Sequence, residues 1–418
     1  MINKADIFQP ESLMMSHGYN PEWSEGAVKC PIFQTSTFVF KTAEDGKAFF
    51  EVAYGIREKN VDEKPGLIYS RLNNPVIEIL ENRLCLWDKA QDCAVFESGM
   101  SAITTVFLEI LKPGDCLLYS MPLYGGSEHF IVHFLPTIGV KSVGFLPGMT
   151  KEEMVSLIEK ENVADTMAMI YIETPANPTN TLIDIELCSD IAKQYGASDT
   201  TIPVVVDNTY MGPLWQHPLK HGADLVVYSA TKYIGGHSDL IAGAVLGSSE
   251  WIKRIKTLRT FLGNMTSPWT SWLLMRSLET LKVRMEQQAI NAAKVAEFLN
   301  VHAKVKKVYY LGNIRANDPQ YTIFKKQYLC AGAMLSFDIM GGEKEAFAFL
   351  NRLKLIKLAV SLGGTESLAE HPASMTHAGI DVDRRKEMGI NDSLIRISVG
   401  IENFEDIIWD IRQALLDD

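Results

Sequence analysis

The stretch ADLVVYSATKYIGGHSDLIAGAV spans residues 223–245, and between Asp224 and Asp239 its only formally charged side chain is Lys232. The apolar run LVVY precedes it, two glycines follow, and Ser229 and Thr231 stand just before it. A lysine in apolar surroundings can serve as a nucleophile or base once its amine is neutral. With an unperturbed pKa of about 10.4, neutrality at pH 7 needs roughly 4–5 kcal/mol of desolvation or like-charge repulsion. An imine bond to an aldehyde cofactor lowers that demand, because an imine is less basic than an amine.

A lysine of that kind predicts companions: an anion cradle, a carboxylate for a ring nitrogen and an aromatic face. Asp207 ends the run PVVVD, where α/β sheets hold ligands, although an Asp there also suits a turn cap. Ser229 and Thr231 suit a phosphate, or else their own turn. Ser98-Gly99-Met100 joins a strand-like run to a helical one, a phosphate position if it is more than a tight turn. Tyr124 in PLYGGS offers a ring for stacking or for packing. Arg396, alone in LIRISVG, offers a bidentate clamp for a carboxylate or a strand-edge partner for a surface acid.

Other signatures point away from rival chemistries. GxGxxG and GxxxxGK[ST] are absent. SATK fits the S-x-x-K pattern of serine acyl enzymes, yet the companion SDN and KTG motifs are missing. His217 and His221 are separated by Pro218 with no ligating Glu after them, so no metal site is expected.

From residue 93 the apolar runs CAVFES, CLLYS, MAMIYIE, IPVVVD and DLVVYS alternate with helical spacing in GMSAITTVFLEIL and DIELCSDIAKQYG. Thr150 and Glu153 form a capping box ahead of EEMVSLIEK. Uniformly apolar strands between helices imply a parallel sheet buried on both faces. The glycine-free stretch 267–300 reads as a long helix. After it AGAMLSFDIM, EKEAFAFLNRL, LAVSL, LIRISVG and ENFEDIIWDIRQALL read strand, helix, strand, strand, helix. Three regions are therefore expected: an N-terminal arm and packing extension (1–70), a large α/β domain (71–266) and a smaller C-terminal α/β domain (267–418).

The chain has 418 residues, 47% hydrophobic and 22% charged, with a formal net charge of -11. That balance suits a globular protein and argues against nucleic-acid or anionic-membrane partners, and KVKK (304–307) reads as a solvated edge. The N-terminus MINKADIFQPESLMM does not read as a signal peptide, and no run of about 18 apolar residues predicts a membrane span. Six cysteines without CxxC pairs read as reduced thiols, so the expected location is the cytoplasm.

YSRLNNP (69–75), SGM (98–100), YGG (124–126), ETPANP (173–178), VVVDNTY (204–210), SATKY (229–233), SLGGTESLAEHPASMTH (361–377) and LIRISVG (394–400) together resemble the Cys/Met-metabolism enzymes dependent on pyridoxal 5'-phosphate (PLP). The resemblance runs from about residue 17 to the C-terminus. It implies the PLP-dependent transferase fold of type I: a large, mixed and mostly parallel sheet domain, a smaller C-terminal α/β domain, and a homotetramer whose subunits share active sites. By motif, it implies that Lys232 holds PLP as an imine at rest and later shuttles protons. Asp207 would pair with the ring nitrogen, Tyr124 would stack on the ring, and Asn177 would lie near the ring oxygen. Gly99, Met100, Ser229 and Thr231 would hold the phosphate, helped by Tyr69 and Arg71 of the neighbouring subunit. Arg396 and Ser361 would bind the carboxylate of a sulfur amino acid, and Tyr124 would protonate the leaving sulfur.

Within that family, methionine γ-lyases carry a cysteine where this chain has Gly126 and Lys-Asp where it has Gly263-Asn264. Cystathionine-handling members carry acids where this chain has Ile68 and Val360. Two aliphatics suit an apolar thioether better than a distal ammonium. The expected activity is therefore methionine γ-lyase-like, giving methanethiol, 2-oxobutanoate and ammonia. Cystathionine γ-synthase or γ-lyase chemistry is the alternative. The insertion AYGIREKNVDEKPG (53–66) is expected to reshape the entrance.

Overall fold

A computed structural model describes residues 7–60, 66–196 and 201–416. Seven strands form the first sheet: β1 (Asp92–Phe96), β2 (Cys116–Ser120), β3 (Lys141–Phe145), β4 (Met167–Glu173), β5 (Val204–Asp207), β6 (Leu225–Tyr228) and β7 (Gly243–Gly247). Their order is β1-β7-β6-β5-β4-β2-β3. The pairs from β3 through β6 are parallel, whereas β7 runs antiparallel to both β1 and β6. The sheet is thus mixed and mostly parallel, and β7 departs from the all-parallel reading. GAVLG, with two glycines and three aliphatics, is too short for its periodicity to reveal it.

Helices cover both faces, which is why strands β2 and β4 to β7 are buried nearly throughout. On one side the helices Gly99–Ile110 and Ser249–Leu262 pack on β1 and β7, burying Phe96, Val106, Phe107 and Ile252. Each such side chain contributes about 1.5–3 kcal/mol. The helices Lys151–Lys160 and Ile185–Tyr195 bury Met154, Ile158, Cys188 and Ile191 against β2, β4 and β5. The expected capping box is formed: Glu153 N donates to Thr150 Oγ1 (3.2 Å) and Thr150 N to Glu153 Oε2 (2.7 Å).

The stretch 267–300 is two helices, Pro268–Leu278 and Leu281–Asn300. Arg284 holds the break, donating from Nη2 to Ser277 O (3.0 Å) and from Nε to Thr280 Oγ1 (3.2 Å). Its Nη1 reaches Tyr233 O (2.9 Å), the residue after Lys232. The second sheet, β10 (Lys357–Leu358), β11 (Leu368–Glu370), β12 (Leu394–Ser398), β9 (Met334–Ile339) and β8 (Val305–Tyr309) in that order, follows these helices. KVKK forms most of edge strand β8, and its lysines 306 and 307 are exposed, as suits an unpaired edge. LAVSL is a strand only at Leu358, and β12 pairs with LAE at 368–370 on one side and β9 on the other.

The N-terminal region, expected to be an arm and packing extension, contains the helix Ala43–Ala53, capped by Thr42 Oγ1 accepting from Asp45 N (3.1 Å). The 53–66 insertion lies partly outside the described residues.

Candidate active site

A cavity of about 480 Å³ opens at the carboxyl ends of β4, β5 and β6 and is closed on one side by the second sheet. Ten of the twelve nominated residues line it: Gly99, Met100, Tyr124, Asn177, Asp207, Ser229, Thr231, Lys232, Ser361 and Arg396. Most of them come from places where the backbone turns, and Arg396 from the middle of a strand. Gly99 and Met100 open a helix whose N-cap, Ser98, accepts from Ser101 N (2.9 Å). Asp207 ends β5, Ser229 to Lys232 form the turn after β6, and Arg396 is the central residue of β12. Tyr69 and Arg71 lie outside the cavity. Tyr69 is exposed, and Arg71 Nη1 donates to Thr260 O (2.6 Å).

Lys232 is largely buried, and burial followed by the charge of Arg396 lowers its pKa from 10.5 to about 8, while Glu370 pulls it back up. Its Nζ donates to Ser361 Oγ (2.8 Å), not to Ser229, so the dyad that an S-x-x-K acyl enzyme needs is not formed. Ser361 has φ 94, a conformation that costs a non-glycine residue about 1–3 kcal/mol. Lys232 on its hydroxyl and Arg396 Nη2 on its carbonyl (2.7 Å) hold it there.

Asp207 is buried, and burial raises its pKa. Its oxygens accept from Thr209 N (3.0 Å) and Tyr171 Oη (3.3 Å), which aim the carboxylate. Arg396 is paired through Nη1 with the fully buried Glu370 (2.8 Å), its register partner on β11, and also donates to Asn177 Oδ1 (3.0 Å). Its Nε is buried without a partner among the described residues.

Glu173, Tyr171, Thr209, Tyr210 and Glu370 were not nominated from sequence. Four of these five lie inside the motif strings 173–178, 204–210 and 361–377; Thr209 donates to Asp207 two residues earlier, but the others have partners distant in sequence that no spacing reveals. His217 and His221 face separate carboxylates, Asp88 (3.8 Å) and Glu186 (3.2 Å). Among the described residues no group of three or more His, Cys, Asp or Glu could hold a metal ion.

The donor set fits a phosphorylated pyridine aldehyde. The first N–H groups of a helix have no intrahelical acceptor and favour an anion, and those of Gly99 and Met100 stand beside the turn that carries Ser229 and Thr231. A Cβ on Gly99 would meet Ser229 Cβ at 2.8 Å, so the glycine keeps that approach open. Asp207, buried and disfavoured as an anion, lacks the positive charge that a protonated ring nitrogen supplies.

Comparisons with known proteins show which family the chain belongs to. The family model for the Cys/Met metabolism PLP-dependent enzyme matches residues 11–416. An L-methionine γ-lyase of Fusobacterium nucleatum subsp. polymorphum is 40% identical over 392 residues, covering 93% of this chain and 94% of that protein. A cystathionine γ-lyase of Bacillus subtilis (strain 168) is 39% identical over 406 residues, 97% and 98% of the two chains. The crystal structure of cystathionine γ-synthase from Xanthomonas oryzae pv. oryzae, in complex with aminoacrylate and cysteine, matches with a TM-score of 0.86 at 33% identity, covering 98% of each chain. Fold and site together define a PLP-dependent enzyme. The chain belongs to the Cys/Met metabolism PLP-dependent enzyme family.

Proposed function

We propose that the chain is a methionine γ-lyase-like enzyme that converts methionine to methanethiol, 2-oxobutanoate and ammonia. The observation that carries this reading is Val360, which lines the cavity, is 54% exposed and faces open space beside Ser361. An aliphatic side chain there favours an apolar thioether and offers nothing to the distal ammonium of cystathionine. Ile241 and Met375 add to the apolar lining.

When bound, PLP supplies the electron sink for charge developing at the substrate's α and β carbons. The chain supplies the rest. Arg396 and Ser361 bind the substrate carboxylate, and Asn177 holds Arg396 in line. The Lys232 amine moves protons at Cα and Cβ, and the Tyr124 phenol protonates the leaving sulfur. Asp207 keeps its charge opposite the ring nitrogen, while Gly99, Met100, Ser229 and Thr231 hold the phosphate.

A second reading, cystathionine cleavage or synthesis, is favoured by Gly126. A Cβ there would meet Tyr124 Cε1 at 2.6 Å, so the cysteine found in methionine γ-lyases requires Tyr124 to sit differently. Val360→Glu separates the two readings. It is expected to raise the cystathionine-to-methionine ratio of kcat/KM by about tenfold, the worth of one charge-assisted contact at ~1.4 kcal/mol. An unchanged ratio removes Val360 as the selector.

We also read the chain as a cytoplasmic homotetramer. Six free cysteines support the reducing location. Tyr69 and Arg71, outside their own chain's cavity, are read as reaching a neighbour's phosphate site. The division into 1–70, 71–266 and 267–418 is supported by β1 to β7 lying within 92–247 and β8 to β12 within 305–398.

A further inference from the structure

We propose that Glu173 is a positioning residue of the site, whose carboxylate ties the loop carrying Tyr124 to the loop carrying Asn177. Glu173 ends β4 in register with Asp207 at the end of β5, and it is buried. Each of its oxygens is used. Oε2 accepts from Tyr124 N (2.8 Å) and Oε1 from Asn177 N (3.1 Å). Its own N–H donates to Ser120 Oγ (3.1 Å), at the end of β2, so three strand ends converge on one residue.

A carboxylate is the side chain that this arrangement needs. Two backbone donors require two acceptor oxygens, and an amide would turn its NH₂ toward one of them. The cost of the choice is visible. Burial, then the charge of Asp207, raises the pKa of the Glu173 carboxyl, against the pull of the two backbone N–H bonds and of Arg396. A buried acid beside another buried acid is a poor device for stability alone, since an apolar residue of similar volume often serves as well or better. What the carboxylate does supply is a fixed distance between a phenol that is otherwise 44% exposed and an amide that orients Arg396.

The inference rests on reading Tyr124 and Asn177 as cofactor contacts. The test uses the PLP-loaded enzyme with the variants Glu173→Gln and Glu173→Asp, and Asp224→Asn as comparator. Asp224 Oδ2 accepts Val204 N (2.8 Å) at the start of β5, the opposite end of the sheet, so its loss is structural only. Three quantities are read: the dissociation constant of PLP, the visible circular dichroism of the bound cofactor, and hydrogen–deuterium exchange over 121–128 and 174–180. The expected result for both Glu173 variants is weaker PLP binding by about tenfold, a diminished dichroic band and faster exchange in both segments at once. Asp224→Asn should lower the melting temperature without moving these readouts. Wild-type PLP affinity and dichroism in Glu173→Gln, or loosening of one segment alone, overturns the proposal. If Glu173→Gln does not fold, the exchange pattern of Glu173→Asp decides. None of these readouts depends on which sulfur amino acid is consumed. Tyr124→Ala and Asn177→Ala run alongside, and wild-type PLP affinity in both would sink the contact reading and not the tether.

Discussion

At the scale of single residues, the proposed chemistry turns on a lysine whose charge is costly where it stands. With a pKa of about 8, roughly one Lys232 amine in ten is neutral at pH 7. The sign follows from linkage. Because the folded value lies below the unfolded 10.5, this lysine opposes folding below pH 8, and the penalty fades as pH rises from 8 toward 10.5. Uptake of PLP by the cofactor-free enzyme should therefore accelerate with pH, with a midpoint near 8. Stopped-flow absorbance checks this, and a midpoint near 10.5 would show that burial does not act on the amine. The lone lysine, the strand-end aspartate and the SGM turn were legible in the sequence because each breaks a local pattern. Glu173 and Glu370 were not, since a glutamate in ETPANP or SLAEHP gains its role from a partner on another strand or loop.

The elements that aim these residues are held by a few buried polar groups. Arg284 is the clearest. It closes the gap between the helices Pro268–Leu278 and Leu281–Asn300 and satisfies the carbonyl of Tyr233, next to Lys232. Arg284→Ala leaves the Tyr233 carbonyl without its donor, whereas Ser277 O keeps the N–H of Thr280, so a loss of about 2 kcal/mol in chemical denaturation is expected. A loss under 1 kcal/mol would mean that water replaces the guanidinium at the Tyr233 carbonyl. Sequence periodicity read the whole of 267–300 as helical and missed this break, because neither Gly nor Pro marks it and a distant carbonyl draws the arginine in. It also missed β3, which begins with an exposed lysine, and β7, where two of five residues are glycine. Strands flanked by strong helical spacing, β1, β2, β4, β5 and β6, were all anticipated.

For the whole molecule, the proposed reading gives the seven-stranded sheet the cofactor's seat and the five-stranded sheet the clamp, Arg396 on β12 with Ser361 before β11. The arm leaves Tyr69 and Arg71 outside that cavity, as the proposed site shared between copies requires. Arg71→Ala and Lys232→Ala chains, each inactive, should regain on the order of a quarter of wild-type activity when mixed and allowed to exchange, because mixed dimers hold one intact site. No recovery would place Arg71 in its own chain's site or outside catalysis. Subunit number leaves no periodicity or motif in a single chain, so this level was reached through family resemblance alone. Selection of an apolar thioether by Val360 and its apolar neighbours is tested most directly by one substrate panel. Methionine, cystathionine, homocysteine, and O-succinylhomoserine with cysteine are each incubated with the enzyme, and methanethiol, 2-oxobutanoate and cystathionine are measured. The prediction is methanethiol with equimolar 2-oxobutanoate from methionine as the fastest reaction. Cystathionine formed from O-succinylhomoserine and cysteine, with no methanethiol from methionine, would contradict it.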